Sequence, residues 1–448
     1  MENEKKTLKQ QDRTISRRDF MGGAAAAAMA FTIVPRHVLG GPRNVPPSEK
    51  LNIASIGAGG MGAGNTNACR GENIVALCDV DDERAKETYD RFPNAKKWKD
   101  FRKMLDEQKD IDAVIVATPD HIHTVAAMAA MQRGKHVYVQ KPLTRTVWEA
   151  RMLTEAARKY KVASQMGNQG HSGEGVRLIC EWIWDGAIGP VREVNAWTNR
   201  PIWPQGIDRP KETQPVPKTL DWDLWLGPSP SRPYHSCYAP FNWRGWWDFG
   251  GGALADMACH LLDPVFSALK LGYPSSVEAC ATKVNNETFP LASIVRLEFP
   301  ARGDMPPLKL NWYDGGMKPP RPEELELGRK MTSVVFIGDK GKLMCGEYGD
   351  NPRLIPETKM QEYKRPPKTL PRVEGSHEQN WIRACKGGEP ACSNFDYSGP
   401  FTEAVVMGNL ALRRLDQKLL WDGENMKVTN DEKANEYVRP TYREGWAW

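Results

Sequence analysis

Short apolar runs alternate with longer amphipathic stretches between Leu51 and Gly170. Such runs are typical of buried strands, and the stretches between them have helical length. The alternation predicts an α/β fold with a doubly wound parallel sheet and right-handed crossovers. The predicted strands are Leu51–Ile56, Ile74–Cys78, Ala113–Ala117, the run between Gly134 and Pro142, and Val162–Met166, and the predicted helices are Lys99–Lys109, one that ends at Arg133, and Val147–Tyr160.

The pattern changes after His171. Shorter apolar runs follow one another at the spacing of hairpins, which favours a second, mostly antiparallel sheet. The proline-dense segment Pro201–Pro233 predicts a long ordered loop that folds over a binding site. The predicted strands are Val277–Val284, Leu291–Phe299, Leu308–Tyr313 and Thr332–Gly338, and the predicted final helices are Asn380–Cys385 and Phe401–Leu419.

The first residues have a different character. Arg17 and Arg18 form a twin arginine within Ser16–Met21, and a weakly apolar run from Gly22 to Val34 follows. This layout is typical of a twin-arginine export signal, and the run is too short to span a bilayer. An alanine-rich helix packed on the body is the alternative. Residues 1–34 are therefore predicted to be a signal and residues 35–50 a proline-stiffened linker, which makes the protein periplasmic or exported, or membrane-anchored if the signal is uncleaved.

Composition narrows the class of protein. With 448 residues and 40% hydrophobic content, the chain can bury a large core and should form two or three domains. The 61 basic and 56 acidic residues nearly balance, so no nucleic-acid partner is predicted. The 9 cysteines contain no pair at the two-residue spacing of zinc or redox motifs, and no metal site is predicted.

A glycine motif follows the first predicted strand. Gly57-x-Gly59-x-x-Gly62 precedes a plausible helix, and a second strand ends at Asp79. In this context the glycines allow a tight turn, close approach of a pyrophosphate and close helix packing, and the acid accepts hydrogen bonds from ribose hydroxyls. Because a carboxylate repels a 2′-phosphate, NAD is favoured over NADP. A glycine-rich turn in another α/β fold is the alternative. The predicted cofactor contacts here are Gly57, Ala58, Gly59, Met61, Gly62 and Asp79.

Polar residues follow the later strands of the predicted parallel sheet, at the edge where open α/β sheets bind ligands. Lys141, which a following proline keeps out of any helix, is either a surface residue beside a turn or a catalytic cation. His121 and His123 are either satisfied imidazoles of a helix N-terminal turn or cofactor contacts. The predicted cofactor contacts at this edge are Thr118, Pro119, His121, His123, Gln140, Lys141 and Asn168, and Lys141, Asn168, Gln169 and His171 are predicted to contact substrate.

Tryptophans are concentrated just after this region. More than half of the 16 tryptophans of the chain lie between Trp182 and Trp247. Their flat faces suit the apolar faces of sugar rings, although a core can also use such residues. A sugar or polyol is therefore predicted to contact at least one of them, and the candidate substrate residues are Trp243, Arg244 and Trp247.

A second glycine run, Gly250–Gly252, leads into a predicted helix that carries Asp256 and His260. Four residues separate this pair, so the two side chains share one helix face. A carboxylate beside an imidazole fixes its tautomer and raises its pKa, which suits a general base. The alternative is an ion pair that only stabilises the helix.

Together the glycine motif, Thr118-Pro119 with His123, Gln140-Lys141-Pro142 and Asp256-x-x-x-His260 resemble the Gfo/Idh/MocA oxidoreductase family, named for glucose-fructose oxidoreductase and inositol dehydrogenase. The resemblance covers about Leu51 to Trp421. It implies an amino-terminal Rossmann domain, residues 51–170, and a carboxyl-terminal α/β domain, residues 171–448. The second domain is expected to have an open, largely antiparallel sheet through which subunits pair, as a homodimer or homotetramer.

The resemblance also implies roles for the motif residues. Lys141 is expected to hydrogen-bond the nicotinamide ribose and the substrate, His260 to take the hydroxyl proton, and Asp256 to orient His260. Gln140 departs from the commoner glutamate of the family. The change removes a negative charge beside Lys141, so that the lysine becomes a stronger electrophile or the cofactor is held differently.

The export signal and the nucleotide motif have a joint implication. Free NAD is scarce outside the cytoplasm, and the twin-arginine route carries folded proteins, so we expect NAD to be loaded before export and retained. The predicted function is hydride transfer between a secondary hydroxyl of a sugar, glycoside or polyol and this NAD. One alternative is a redox-neutral glycosidase or lyase that acts through a 3-keto intermediate, and another is a non-catalytic sugar or nucleotide sensor.

Overall fold

The computed structural model of the chain describes residues 49–448. The predicted signal, residues 1–34, and residues 35–48 of the predicted linker lie outside the described residues.

Six parallel strands form the first sheet, in the order β3-β2-β1-β4-β5-β6. Every residue of the central strand β4 is buried, as expected for a parallel sheet with helices on both faces. The strands are β1 Asn52–Ile56, β2 Asn73–Cys78, β3 Lys96–Trp98, β4 Ala113–Val116, β5 His136–Val139 and β6 Ser164–Met166, and the helices are α1 Met61–Ala68, α2 Asp82–Arg91, α3 Phe101–Glu107, α4 Asp120–Gln132 and α5 Val147–Tyr160. The predicted doubly wound sheet is confirmed.

Local sequence explains why the bounds of helix α5 could be predicted and why strand β3 could not. Helix α5 has the predicted bounds because Thr146 and Glu149 form a capping box at its start, the Thr-x-x-Glu signature. Strand β3 was not singled out, since Lys-Lys-Trp contains no apolar run and only three residues. It pairs with β2 at the edge of the sheet, where a strand needs little apolar character.

Nine strands form the second sheet, in the order β13-β12-β11-β7-β10-β9-β8-β14-β15. Among the described strands of this sheet, β7 and β10 are the one parallel pair, so the predicted mostly antiparallel arrangement is confirmed. The strands are β7 Val191–Trp197, β8 Ser276–Ala281, β9 Ser293–Phe299, β10 Leu308–Tyr313, β11 Val334–Gly338, β12 Gly341–Cys345, β13 Arg353–Ile355, β14 Leu419–Asp422 and β15 Lys427–Val428, and the helices are α6 Glu174–Trp184, α7 Trp222–Leu226, α8 Gly252–Leu261, α9 Asp263–Leu269, α10 Glu357–Glu362, α11 His377–Cys385 and α12 Phe395–Arg413.

The predicted last helix is wrong at both ends. Helix α12 begins before the predicted start at Phe401, because the Asn394 side chain caps it by accepting from the Asp396 amide at 2.9 Å. The helix ends at Arg413, and Leu419 begins strand β14 instead. Within residues 49–448, no helix has the length and apolar character needed to cross a membrane.

Helix α12 packs against α5 and so joins the two sheets. Gly399 allows the close approach, since a Cβ there would lie 1.8 Å from the Thr154 hydroxyl. Beside this contact, Arg151 donates to both carboxylate oxygens of Glu403 at 2.8 and 2.9 Å and to the Gly423 carbonyl at 2.8 Å. The Glu403 side chain is 1% exposed, so this charge depends on its partner.

Glu403→Gln should destabilise the protein by about 3 kcal/mol, because it leaves a mostly buried guanidinium without its counterion. A lower melting temperature by differential scanning fluorimetry is the measurement. Glu278→Gln is the control, since its pair with Arg296 is exposed and should contribute less than about 0.5 kcal/mol. Equal melting temperatures for the two variants would contradict the importance of the buried pair.

Candidate active site

A cavity of about 460 Å³ lies at the carboxyl ends of β1, β2, β4 and β5. Its floor comes from the first sheet, and its roof comes from the segment that precedes α8. The residues that line it include Gly57, Gly59, Met61, Asp79, Thr118, Pro119, Asp120, Gln140, Lys141, Gln169, Trp243, Arg244, His260 and Tyr348.

The glycine loop forms one wall of the cavity. Gly57 has a φ of 82°, in the region that favours glycine, and a Cβ on Gly62 would lie 1.7 Å from the Gly57 carbonyl oxygen. Helix α1 begins directly after this loop, and no side chain caps it. The helix therefore offers the Met61 amide at its start to the pyrophosphate of a dinucleotide, which fits the predicted role of Met61, whereas the amides of Ala58 and Gly59 bind Asp79.

Asp79 holds the loop in shape from the end of β2. One carboxylate oxygen accepts the amides of Ala58 and Gly59 at 2.8 and 3.1 Å, and the other accepts the amide of Asp81 at 3.0 Å. Burial raises the pKa of Asp79, although these amides oppose that rise. A carboxylate offers about four acceptor positions, so Asp79 retains capacity for a ribose hydroxyl on the cavity side.

Thr118 and Pro119 reach the cavity at the end of β4, but the neighbouring histidines do not. The Thr118 hydroxyl is buried and has no hydrogen-bond partner in the described part of the chain, so it can serve a bound ligand. His121 is enclosed between the carbonyls of Trp225 and Phe249, at 2.9 and 3.2 Å. His123 lies between those of Thr118 and Pro142, at 2.9 and 2.8 Å.

These contacts hold both rings within the fold, and contact of His121 or His123 with the cofactor stays a prediction. Burial lowers their pKa values to about 3 and about 4, against the carbonyls that each ring faces, and a neutral ring donates to only one of its two carbonyls. His123 still matters to the site, because it ties the turn after Lys141 to the turn after β4.

Lys141 points from the end of β5 to helix α8. Its Nζ donates to the Asp256 carboxylate at 2.8 Å and to the Asp256 carbonyl at 2.9 Å. Arg244 donates to the same carboxylate oxygen at 3.0 Å. Burial opposes ionisation of Asp256, but Lys141 and Arg244 outweigh it and lower the pKa of this carboxyl to about 2.

His260 differs from the prediction in two respects. Within residues 49–448, no hydrogen bond joins it to Asp256, and its buried Nδ1 has no partner. Burial and then the charge of Lys141 lower the pKa of His260 to about 3, whereas the sequence predicted a raised pKa. The helix pair shares a face as expected, but Asp256 serves Lys141 and Arg244 because cations compete better for a carboxylate than a neutral imidazole.

Asp120 is a site residue that the sequence analysis missed. It is 4% exposed and accepts the Gly251 amide at 3.1 Å. Burial raises its pKa to about 7, against the attraction of Arg244 and Lys141. Its position could have indicated a site residue, because Asp120 directly follows Thr118-Pro119 and is the first residue of helix α4.

Gln140 connects the cavity to a polar chain behind it. Its amide nitrogen donates to the Asn65 oxygen at 2.9 Å, and the Asn65 nitrogen donates to Glu378 at 2.8 Å. A Cβ on Gly167 would lie 2.6 Å from the Gln140 nitrogen, so the amide is closely packed. Where the resemblance predicts a glutamate, the neutral Gln140 amide thus leads through Asn65 to the carboxylate of Glu378 on α11.

The predicted substrate residues fall into two groups. Gln169, Trp243 and Arg244 line the cavity, and Tyr348 joins them from the loop after β12. Tyr348 meets the His260 ring edge-on, with 4.9 Å between centroids. The Arg244 guanidinium lies 4.2 Å from the Trp243 ring centroid, which holds it in place.

In the described part of the chain, Asn168, His171 and Trp247 are not among the residues that line the cavity, so their contact with a ligand stays a prediction. Asn168 and His171 bind Asp263, at 3.0 and 2.8 Å, in a buried network beside α9. Trp247 donates to the Asn285 carbonyl at 3.1 Å and packs against Phe289. All three side chains make their polar contacts within the protein. The ends of strands and the concentration of tryptophans predict the region of a binding site, but they do not predict the direction of each side chain.

Two family models match the chain. An oxidoreductase family model with an NAD-binding Rossmann fold matches residues 51–168, and a model of the C-terminal alpha/beta domain of an oxidoreductase family matches residues 191–295. The first matched region contains the glycine loop and Lys141, and the second contains Arg244, Asp256 and His260. The first sheet and its helices therefore form an NAD-binding Rossmann domain.

Curated relatives include a levoglucosan dehydrogenase of Pseudarthrobacter phenanthrenivorans, 26% identical over 48% of this chain and 50% of that protein. An inositol 2-dehydrogenase/D-chiro-inositol 3-dehydrogenase of Lacticaseibacillus casei is 31% identical over 33% and 44%. A glycosyl hydrolase family 109 protein of Shewanella amazonensis is 30% identical over 32% and 37%. The chain thus spans about half or less of the length of these relatives.

Solved structures share the fold. The WlbA dehydrogenase of Bordetella pertussis, in complex with NADH and UDP-GlcNAcA, aligns over 83% of this chain and 99% of that chain, with a TM-score of 0.59 and 18% identity. At this identity the likeness is one of fold alone.

Asp120→Asn should change the pH dependence of stability. The folded carboxyl has a pKa of about 7 and the unfolded one an ordinary value near 3.8, so the folded state holds the extra proton between these values. Stability from the neutral carboxyl therefore falls as pH rises towards about 7. The melting temperature of the variant, relative to the parent, should rise over this interval and level off above it.

Differential scanning fluorimetry across a pH series measures this difference. Asp208→Asn, at an exposed position, is the control and should follow the parent at every pH. A constant offset between Asp120→Asn and the parent would show that Asp120 does not titrate in this range.

Proposed function

This chain belongs to the Gfo/Idh/MocA oxidoreductase family, and we propose that it is an exported enzyme that transfers a hydride between a secondary hydroxyl of a sugar, glycoside or polyol and a tightly bound NAD. The observation that carries the proposal is the meeting of three features in one cavity. These are the glycine loop before helix α1, Lys141 in its contact with Asp256, and the His260 Nδ1, which has no partner among residues 49–448. Levoglucosan and inositol dehydrogenases among the relatives support the substrate class.

The residues divide the work of alcohol oxidation between them. Lys141, held in place by Asp256, donates a hydrogen bond to the hydroxyl oxygen and stabilises the negative charge that develops there. His260, neutral at ordinary pH because its pKa is about 3, accepts the hydroxyl proton. Bound NAD supplies the hydride acceptor. Arg244 and Trp243 position the sugar ring beside these groups.

A redox-neutral reaction is the second candidate. The glycosyl hydrolase family 109 relative, 30% identical over its matched part, favours a glycosidase that passes through a 3-keto intermediate. The same Lys141 and His260 would serve both reactions. Hydrolysis of a glycoside without net NADH would identify this second reaction.

Retention of the cofactor follows from the proposed export. A twin-arginine signal would deliver a folded protein to a compartment with little free NAD, so one bound NAD must be recycled there. A second substrate or a redox-neutral cycle would accomplish this. The pairing of subunits as a homodimer or homotetramer stays a prediction.

Lys141→Met and His260→Asn should each lower kcat by about 10²- to 10⁴-fold, because each removes a group that acts on the hydroxyl in the transition state. Turnover on a panel of sugars, glycosides and polyols is the measurement. Lys103→Met, at an exposed position on α3, is the control and should retain full activity. Near-full activity of His260→Asn on the best substrate would remove His260 from the mechanism.

Protein purified without added nucleotide should carry NAD(H). Its denatured supernatant should absorb as a nicotinamide nucleotide, and mass spectrometry should identify NAD rather than NADP. Absence of nucleotide would overturn retention, whereas activity restored by added NAD would leave hydride transfer intact.

A further inference from the structure

The far end of the cavity, away from Lys141, is where the adenosine half of NAD belongs. In a Rossmann domain the acid at the end of the second strand faces the adenosine ribose, and Asp79 has that place here. Val80, Lys99 and Phe101 continue the cavity beyond Asp79. A flat adenine ring would lie among these residues.

A strap from the second half of the chain covers this end. The strap, residues 219–226, pairs with the turn after β2. The Thr219 carbonyl accepts the Asp82 amide at 3.1 Å, and the Asp221 amide donates to the Val80 carbonyl at 2.9 Å. Leu220, Leu224 and Trp225 of the strap line the cavity opposite the Rossmann domain.

A second segment, residues 438–448, completes the cover with a tryptophan. Trp446 lines the cavity and is 7% exposed. Its ring centroid lies 6.1 Å from that of Phe101, and the Arg102 guanidinium lies 4.1 Å from it. The proposed function uses none of these groups, yet an aromatic face beside a cation is a common way to bind a nucleobase.

The 438–448 segment is anchored on both sides of the cavity. On the Rossmann side, the Trp148 amide donates to the Val438 carbonyl at 3.1 Å, and the Tyr442 hydroxyl donates to Glu149 at 2.6 Å. On the other side, Arg443 donates through its amide to the Pro228 carbonyl and through Nε to the Gly227 carbonyl, both at 2.9 Å. The segment therefore bridges α5 and the residues that follow the strap.

We propose that Trp446 is an adenine-binding residue and that the 438–448 segment closes the cavity over the adenosine of NAD, so that nucleotide leaves only when this segment lifts. The proposal rests on the proposed function, because it takes NAD as the ligand. It assigns the slow release of the cofactor to a part of the chain that neither family model covers.

The test uses Trp446→Ala with Trp448→Ala as its matched control. Trp448 lies in the same segment and stacks on Trp148 with 5.3 Å between centroids, but it does not line the cavity. Nucleotide is removed from each protein, and binding of AMP, NMN and NAD is measured by calorimetry. Release of bound NADH is followed by fluorescence after addition of excess NAD.

Trp446→Ala should weaken AMP and NAD binding about tenfold or more and speed NADH release by a similar factor, because loss of base stacking has this magnitude. NMN, which lacks adenine, should bind as it does to the parent. Trp448→Ala should match the parent in all three ligands. Parent-like AMP binding by Trp446→Ala, or equal losses in both variants, would overturn the proposal.

Two further outcomes separate this proposal from the proposed function. If the parent binds neither AMP nor NAD, the proposed function fails and this proposal fails with it. If the parent binds both and only the Trp446 effect is absent, the proposed function stands. Should Trp446→Ala fold poorly, Tyr442→Phe removes one anchor of the segment and should speed NADH release, whereas unchanged release would count against the closing role.

Discussion

The ion pair between Lys141 and Asp256 is the contact on which the site depends, since it joins the end of a parallel strand to a helix of the second half of the chain. The two side chains are 13% and 10% exposed, so both charges have lost most of their water. Such a pair is favourable only when further polar contacts complete it. The Asp256 carbonyl and the Arg244 guanidinium supply those contacts, at 2.9 and 3.0 Å.

The same lysine also affects the protonation of His260. Burial and then the charge of Lys141 lower the pKa of the imidazole to about 3, against the opposing charge of Asp256, so the ring stays neutral. A base with so low a pKa has little affinity for a proton. It becomes effective only when a nearby cation also stabilises the alkoxide that proton transfer creates, and Lys141 is that cation. Base and electrophile therefore act as one unit.

The sequence was most informative where a residue type has a single physical use. Gly57 and Gly62 could be assigned because no side chain fits the turn, and Lys141 because a proline fixes its backbone. Strand-helix alternation was sufficient for the parallel sheet. The partners of polar side chains could not be read in this way, because they depend on directions that only packing sets. His121, Asn168 and Trp247 lie near the predicted edge but turn towards carbonyls and Asp263.

The most distant contacts were the least predictable. Asp256 lies 115 residues from Lys141, and no pattern along the chain distinguishes Lys141 from the nearer His260 as the partner of Asp256. Trp446 comes from a segment far along the chain, which is held by backbone contacts and by the side chains of Tyr442 and Arg443. Hydrogen bonds between residues so far apart in the chain produce no periodic pattern in the sequence.

The chain from Gln140 through Asn65 to Glu378 has an evolutionary consequence. An amide has one accepting and one donating end, so the Asn65 side chain gives a direction to the whole chain. Glutamate at position 140 would need a donor, and an inverted Asn65 would then present its oxygen to the half-buried carboxylate of Glu378. We therefore expect the effects of substitutions at positions 140 and 378 to be coupled. Glutamate beside Lys141 should be tolerated best when the residue at position 378 is neutral.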